Sequence, residues 1–155
     1  MKSRERGINT VEFALTLTCT LILLFSVMEI GRLFYTLNTA AEGVRRAARL
    51  ATVCPPNDAK ITEAALMTSS GSTTSPYLNG LSSSQISLQY LDASGSVTTD
   101  PNLMQYARVS INGYSQTLLI PFVSLTITVP SFPTTVPLEN KGYIPALGAS
   151  TCLSL

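Results

Sequence analysis

Apolar and polar positions divide the chain into an unbroken apolar stretch, a periodic stretch and a polar remainder. Between Glu12 and Glu29 it reads FALTLTCTLILLFSVM without a charge, and apolar character resumes after Glu29 and Arg32 with LFY at 33–35. Crossing a hydrocarbon layer ~30 Å thick takes about 20 helical residues, so 13–35 suffices if Glu29 and Arg32 lie near the far interface or pair with each other. Their i,i+3 spacing permits that pairing. Farther on, Ile30, Leu33, Leu37, Ala40, Val44, Ala47 and Ala51 recur at spacings of three and four, while Asn38, Glu42, Arg45, Arg46 and Arg49 take other faces. The pattern predicts one helix from about Ile8 to Val53, stopped by Pro55-Pro56. At 1.5 Å per residue it is roughly 70 Å long, about twice the apolar thickness of a bilayer. Its second half must therefore pack against the chain's own domain or against sister helices. Gly43 and the alanines of the seam suit close helix approach.

The remainder predicts short elements. Asp58 to Thr68 reads as a helix capped by Asn57 or Asp58, with Ile61, Ala64, Ala65 and Met67 or Thr68 on one face. Ser, Thr and Gly dominate 69–84, together with Pro76, Asn79 and Gly80, which predicts loop. Three strand candidates follow, Ile86 to Leu91, Ala107 to Tyr114 and Leu118 to Val129, the last broken by Pro121. Asp92-Ala93-Ser94-Gly95 is a turn signal before a short Val97-Thr98-Thr99 strand. Pro130, Pro133, Pro137 and Pro145 exclude a regular central strand from the tail and predict extended wrapping. The expected fold is α+β: a long N-terminal transmembrane helix with a small antiparallel sheet packed on its outer half. In so small a domain Tyr114, Phe122, Phe132 and Tyr143 are expected to form core rather than an adhesive patch.

Composition then narrows the function. The formal net charge is +1 with 12% charged residues, which leaves no basic surplus for nucleic-acid phosphates. The chain has no His and no Trp, so His triads, His metal sites and imidazole bases are excluded. The acids beyond the helix, Asp58, Glu63, Asp92, Asp100 and Glu139, show no paired spacing, and no Gly-x-Ser-x-Gly or Ser-x-x-Lys signature stands among the serines. No enzymatic activity and no cofactor are expected.

Lys2, Arg4 and Arg6, with Glu5 alone against them, hold the N-terminus in the cytoplasm and direct the C-terminal part outward. Arg45, Arg46 and Arg49 argue the other way, but a sizeable following domain can translocate despite them. A cleaved secretory signal would end in a small-x-small site close behind a shorter apolar run, and Thr39-Ala40-Ala41 comes well after Arg32. Cys19 lies within the apolar run, whereas Cys54 and Cys152 fall in the polar remainder. In an exported domain these two either pair, tying the tail to the end of the helix, or stand as separate thiols.

Glu12 is a charge where an anchor needs none, at the start of the apolar run and five positions after Gly7. It is read either as a carboxylate favoured by the dipole of the first helical turn or as part of a motif. The stretch RERGINTVEFALTL resembles the processing site of the type IV pilin class, in which a dedicated peptidase cuts after a glycine and the glutamate is the fifth mature residue. By that resemblance the cut falls between Gly7 and Ile8, and Glu12 neutralises the new amine of a neighbouring subunit during docking.

The wider stretch is similar to the TadE-like proteins, minor pseudopilins of the tight-adherence (Tad, Flp pilus) apparatus. The similarity rests on VEFAL at Val11 to Leu15, on Glu29-Ile30-Gly31-Arg32, and on the Ala/Arg/Gly-rich run from Ala40 to Ala51. It covers roughly the first third of the chain. Thr18-Cys19-Thr20 stands where that family often has a proline, and the first mature residue would be Ile8 rather than an aromatic, which leaves N-methylation of that terminus open. The resemblance implies a leader at 1–7, a long helix at 8–53 and an exported Ser/Thr-rich domain at 54–155. It also implies a bacterial inner-membrane location and, as partners, membrane lipid, a prepilin peptidase, the inner-membrane Tad assembly platform with its cytoplasmic ATPase, and other pilins and pseudopilins, the major Flp pilin among them. The expected role is primer, tip or assembly factor of the pilus. The alternatives are a single-pass anchored binding protein that is never processed, and an exoenzyme cut beyond the apolar run.

Overall fold

The computed structural model of the chain describes residues 3–68, 71–120, 123–139, 143–144, 149–150 and 152. Helix α1 runs from Ser3 to Val53. It starts before Ile8 because Arg4, Glu5 and Arg6 are good helix formers and nothing ahead of Gly7 breaks the helix. It ends where Pro55-Pro56 require, with Cys54 N–H still donating to Leu50 C=O at 2.8 Å. Helix α2 spans Ala59–Leu66; the Asp58 carboxylate caps it by accepting from Lys60 N–H at 2.9 Å, and Met67 closes it at φ 53°. A 3-10 turn at Ser83–Gln85 precedes β1 (Ile86–Leu91). The remaining strands are β2 (Tyr106–Ile111), β3 (Ser115–Ile120), β4 (Val123–Thr128), β5 (Thr134–Pro137), β6 (Tyr143–Ile144) and β7 (Ala149–Ser150). A long apolar helix with small antiparallel sheets is an α+β, pilin-like architecture.

The chain divides into two units, one of Met1–Tyr35 with Ser115–Ile127 and one of Thr36–Tyr114 with Thr128–Leu155. In the second unit Ala40, Val44, Ala47, Ala48 and Ala51 of α1 are fully buried, in one cluster with Ile61, Ala65 and Leu66 of α2 and with Tyr90, Ala107, Val109 and Ile111 of the sheet. The small seam residues let backbones approach closely. Gly43 marks the tightest point, because a Cβ there would run into the Ala65 carbonyl oxygen. The sheet has the order β1-β2-β5. Strand β1 pairs antiparallel with β2 from Ile86↔Ile111 to Leu91↔Tyr106, and β5 lies on the other side of β2 from Tyr106↔Pro137 to Val109↔Thr134. Alternation along β2 sends Ala107, Val109 and Ile111 inward.

Several sequence expectations change. Leu118 to Val129 is not one interrupted strand but the pair β3 and β4, joined by two residues, which allows only antiparallel pairing. The second candidate strand stops at Ile111, because Gly113 at φ 70° turns the chain toward β3. The tail contributes β5, with its proline at the end of an edge strand where no ladder donor is needed. The Ser/Thr-rich stretch is not plain loop: Leu78 and Leu81 are buried in the core and Thr74 bridges Ser82. Val97 makes a single bridge to Leu91 rather than a strand. Tyr114 is buried and Phe132 packs against the core, while Phe122, Pro145 and the side chain of Tyr143 lie outside the described residues.

The turn after β1 is held by Asp92, whose carboxylate accepts from Ser94 Oγ at 2.6 Å, Ser94 N–H at 2.8 Å and Ser96 N–H at 2.9 Å. Led by the Ser94 hydroxyl, these hydrogen bonds hold the carboxyl below its ordinary range.

Candidate functional site

The N-terminal part of α1 exposes its apolar side chains. Ile8, Val11, Phe13, Leu15, Leu23, Leu24, Val27 and Met28 are each more than half exposed. The helix is long and apolar enough to cross a membrane. Its hydroxyls fit that solvent. Thr16 donates to Glu12 and Phe13 carbonyls at 3.0 Å, while Thr18, Thr20 and Ser26 donate to Ala14, Thr16 and Ile22 carbonyls at 2.8 Å. Each hydroxyl between 13 and 28 is thus satisfied by its own helix, as a water-free surround requires. Length, an exposed apolar surface and internally satisfied hydroxyls suit this segment to a membrane.

At the far end of the apolar run Glu29 and Arg32 form an ion pair, with Arg32 Nη2 and Nε donating to Glu29 Oε2 at 2.7 and 3.1 Å. Strand β3 completes it. Arg32 Nη2 donates to Thr117 C=O at 2.8 Å, and Leu119 N–H donates to Glu29 Oε2 at 3.1 Å. Each charge meets the opposite charge and a backbone dipole of matching sign, the condition under which an ionic pair is tolerated in a low-dielectric place. The i,i+3 spacing announced the pair; the backbone partners, 85 and 90 residues away in sequence, had no signal in it. On the same face Ile22, Ser26, Glu29 and Leu33 are half-buried while their neighbours are exposed. The hairpin is the other element of this unit, so this is the face it covers.

The Gly7-Ile8 peptide lies within α1. A protease acting on it has to unwind the helix locally, and glycine is the residue at which helix is least stable apart from proline. Ile8 is exposed, and Glu12 stands one turn above it on the same face, also exposed. The ion pairs of the described residues are Glu29-Arg32, Glu42-Arg45 and Glu42-Arg46, and Glu12 takes part in none.

Residues 7–49 match the family model of TadE-like proteins. No curated protein and no solved structure matches the chain. The TadE-like segment contains Gly7, Ile8, Glu12, Glu29 and Arg32, so the ion pair that meets β3 belongs to the family region while β3 itself lies outside it.

Beyond the TadE-like segment, Cys54 and Cys152 are joined by a disulfide with their Cα atoms 4.5 Å apart. Both cysteines are buried, and Lys60 Nζ donates to Cys152 C=O at 2.9 Å. The link fastens the end of the tail to the end of α1. Near the end of the segment Glu42 accepts from Arg46 Nε at 3.0 Å, and this bond chiefly holds its carboxyl below the ordinary range. An exposed pair of this kind adds little stability. Among the described residues no group of three His, Cys, Asp or Glu side chains is placed to hold a metal.

Proposed function

We propose that the chain is a Tad pilus-related protein, a minor pilin or pseudopilin acting in Tad (Flp) pilus assembly as primer, tip or assembly factor. The observation that carries this reading is the TadE-like match over 7–49 with Glu12 standing five residues after Gly7. In this scheme the chain is stored in the bacterial inner membrane with its N-terminus in the cytoplasm and its C-terminal domain outside. A prepilin peptidase cuts after Gly7. The new ammonium on Ile8 and the carboxylate of Glu12, which joins no ion pair among the described residues, are complementary charges, and each costs less in an apolar surround when it meets the other. Pairing between successive subunits sets their register as helices leave the bilayer.

The exposed apolar surface of α1 supports the exchange. Its side chains face lipid in the stored state and sister helices in the assembled state, two surrounds of similar polarity, so extraction need not expose them to water. Gly31 leaves open space on the helix for a neighbour.

The test separates docking from processing. Glu12→Ala is expected to be inserted and cut at Gly7 yet absent from purified pili or assembly complexes, with Glu12→Asp partly restoring incorporation. Normal incorporation of Glu12→Ala would overturn the docking role. An uncut chain with unchanged function would favour an anchored binding protein.

A further inference from the structure

Resting on the reading of α1 as a membrane span, we propose that the β3–β4 hairpin is a second membrane-contacting element, entering the outer interface of the bilayer beside the helix. The direction of β3 is fixed by its two contacts. Thr117 meets Arg32, and Leu119, two residues on, meets Glu29, three residues back along α1. Strand β3 therefore runs antiparallel to the helix, toward the apolar run. Ile120, its last residue, lies a further ~3.4 Å along, equivalent to about two helical residues past Glu29 in the direction of the lipid-facing segment.

The hairpin's chemistry fits this depth. By sequence Leu118 to Val123 contains no polar side chain; of the described leucines of the hairpin Leu118 is buried, while Leu119 and Leu125 are 71% and 46% exposed. A small exported domain gains nothing from presenting two leucines to water beside a lipid-facing helix, whereas transferring them to an apolar phase is favourable by about 25 cal/mol per Å². The half-buried face of α1 reaches back to Ile22, seven residues before Glu29, so the cover on the helix extends about 10 Å into the apolar run.

The same geometry answers the main objection. An open sheet edge is unfavourable in lipid because its backbone groups lack partners. At this depth two groups on the edge of β3 are taken up by the ion pair, Thr117 C=O by Arg32 and Leu119 N–H by Glu29. The charges do there what water does at an exposed edge, and this assigns Glu29 and Arg32 a role besides mutual neutralisation.

The chain has no tryptophan, so single-tryptophan variants report depth without background. Full-length Phe25→Trp, Leu119→Trp and Leu125→Trp would each be reconstituted in lipid vesicles carrying bromine near the glycerol or near the chain end. The proposal expects Phe25→Trp to be blue-shifted and quenched, and Leu119→Trp or Leu125→Trp to be blue-shifted relative to N-acetyltryptophanamide and quenched most by the bromine near the glycerol. Quenched Phe25→Trp with both hairpin variants unshifted and unquenched would overturn the hairpin's membrane contact while leaving the anchor intact. Absence of quenching in all three would overturn the anchor itself and the hairpin contact with it.

Discussion

Removing the Cys54-Cys152 link offers the clearest quantitative test of how the C-terminal unit is held. The bond spans a sequence separation of 98 residues. Loop-closure entropy for a loop of this length predicts about 4.7 kcal/mol at 25 °C, and losses measured for native disulfides in small domains run about 2–5 kcal/mol. The lower part of that range is expected here, because Tyr90, Leu66, Val44 and the rest of the core remain when the tail is released. Alanine is the replacement of choice: Cys54 is 1% exposed, and a serine hydroxyl there would add its own desolvation term. For a domain of this size each kcal/mol moves the melting temperature by about 4–8 °C, so a loss of about 2–3 kcal/mol should make the Cys54→Ala/Cys152→Ala variant melt about 8–24 °C lower. The assay is thermal unfolding of the full chain in detergent followed by tyrosine emission, since Tyr90 and Tyr114 are buried in this unit. Reductant should lower the wild-type midpoint and leave the double variant unchanged. Coincident wild-type and variant midpoints would refute the reasoning, for the bond would then not constrain the unfolded chain.

Three further outcomes follow from the same contacts. Gly43→Ala should destabilise the unit by about 1–3 kcal/mol through the collision with the Ala65 carbonyl, whereas Gly31→Ala, with open space around it, should leave the melting point unchanged or slightly raised; equal effects of the two would contradict the packing described. Arg32→Ala should release the β3 edge and leave Glu29 without its ionic partner, read as faster hydrogen exchange at Leu119; Glu29→Gln/Arg32→Ala should recover part of the protection. Asp92 has its pKa depressed in the folded chain, so its contribution is present above the unfolded value and is lost as pH falls through the folded one; below about pH 4 the wild type should therefore lose stability faster than Asp92→Asn, and parallel acid profiles would remove the turn from the account.

The elements most legible in the sequence were those with a local cause. Pro55-Pro56 stop α1, Asp58 caps α2, and the alternation of Ile86 to Leu91 makes a strand, all without reference to distant residues. The hairpin was not legible, because Pro121 inside an apolar run reads equally as a flaw in one strand or as the point between two. What decides is a contact with Glu29 and Arg32, which lie about 90 residues earlier. Helix α1 began earlier than expected for a related reason: periodicity marks where a helix has something to bury, and residues 3–7 form helix on propensity alone. Leu78 and Leu81 escaped notice because two leucines in a polar stretch carry no period, although they pin that stretch to the core.

The functional residues divide in the same way. Glu29 and Arg32 could be paired from their spacing, and the structure adds the strand that meets them. Gly7, Ile8 and Glu12 stand on the motif, to which the geometry adds, for Ile8 and Glu12, exposure, a shared helix face and a carboxylate outside every described ion pair. Their proposed partners are other molecules, and contacts within one chain do not supply them.

The central claim is processing, and the most direct measurement is the intact mass and N-terminal sequence of the membrane-purified protein from cells with and without the prepilin peptidase. The account predicts a chain beginning at Ile8 when the peptidase is present and at Met1 when it is absent; a chain that begins at Met1 in both would contradict it.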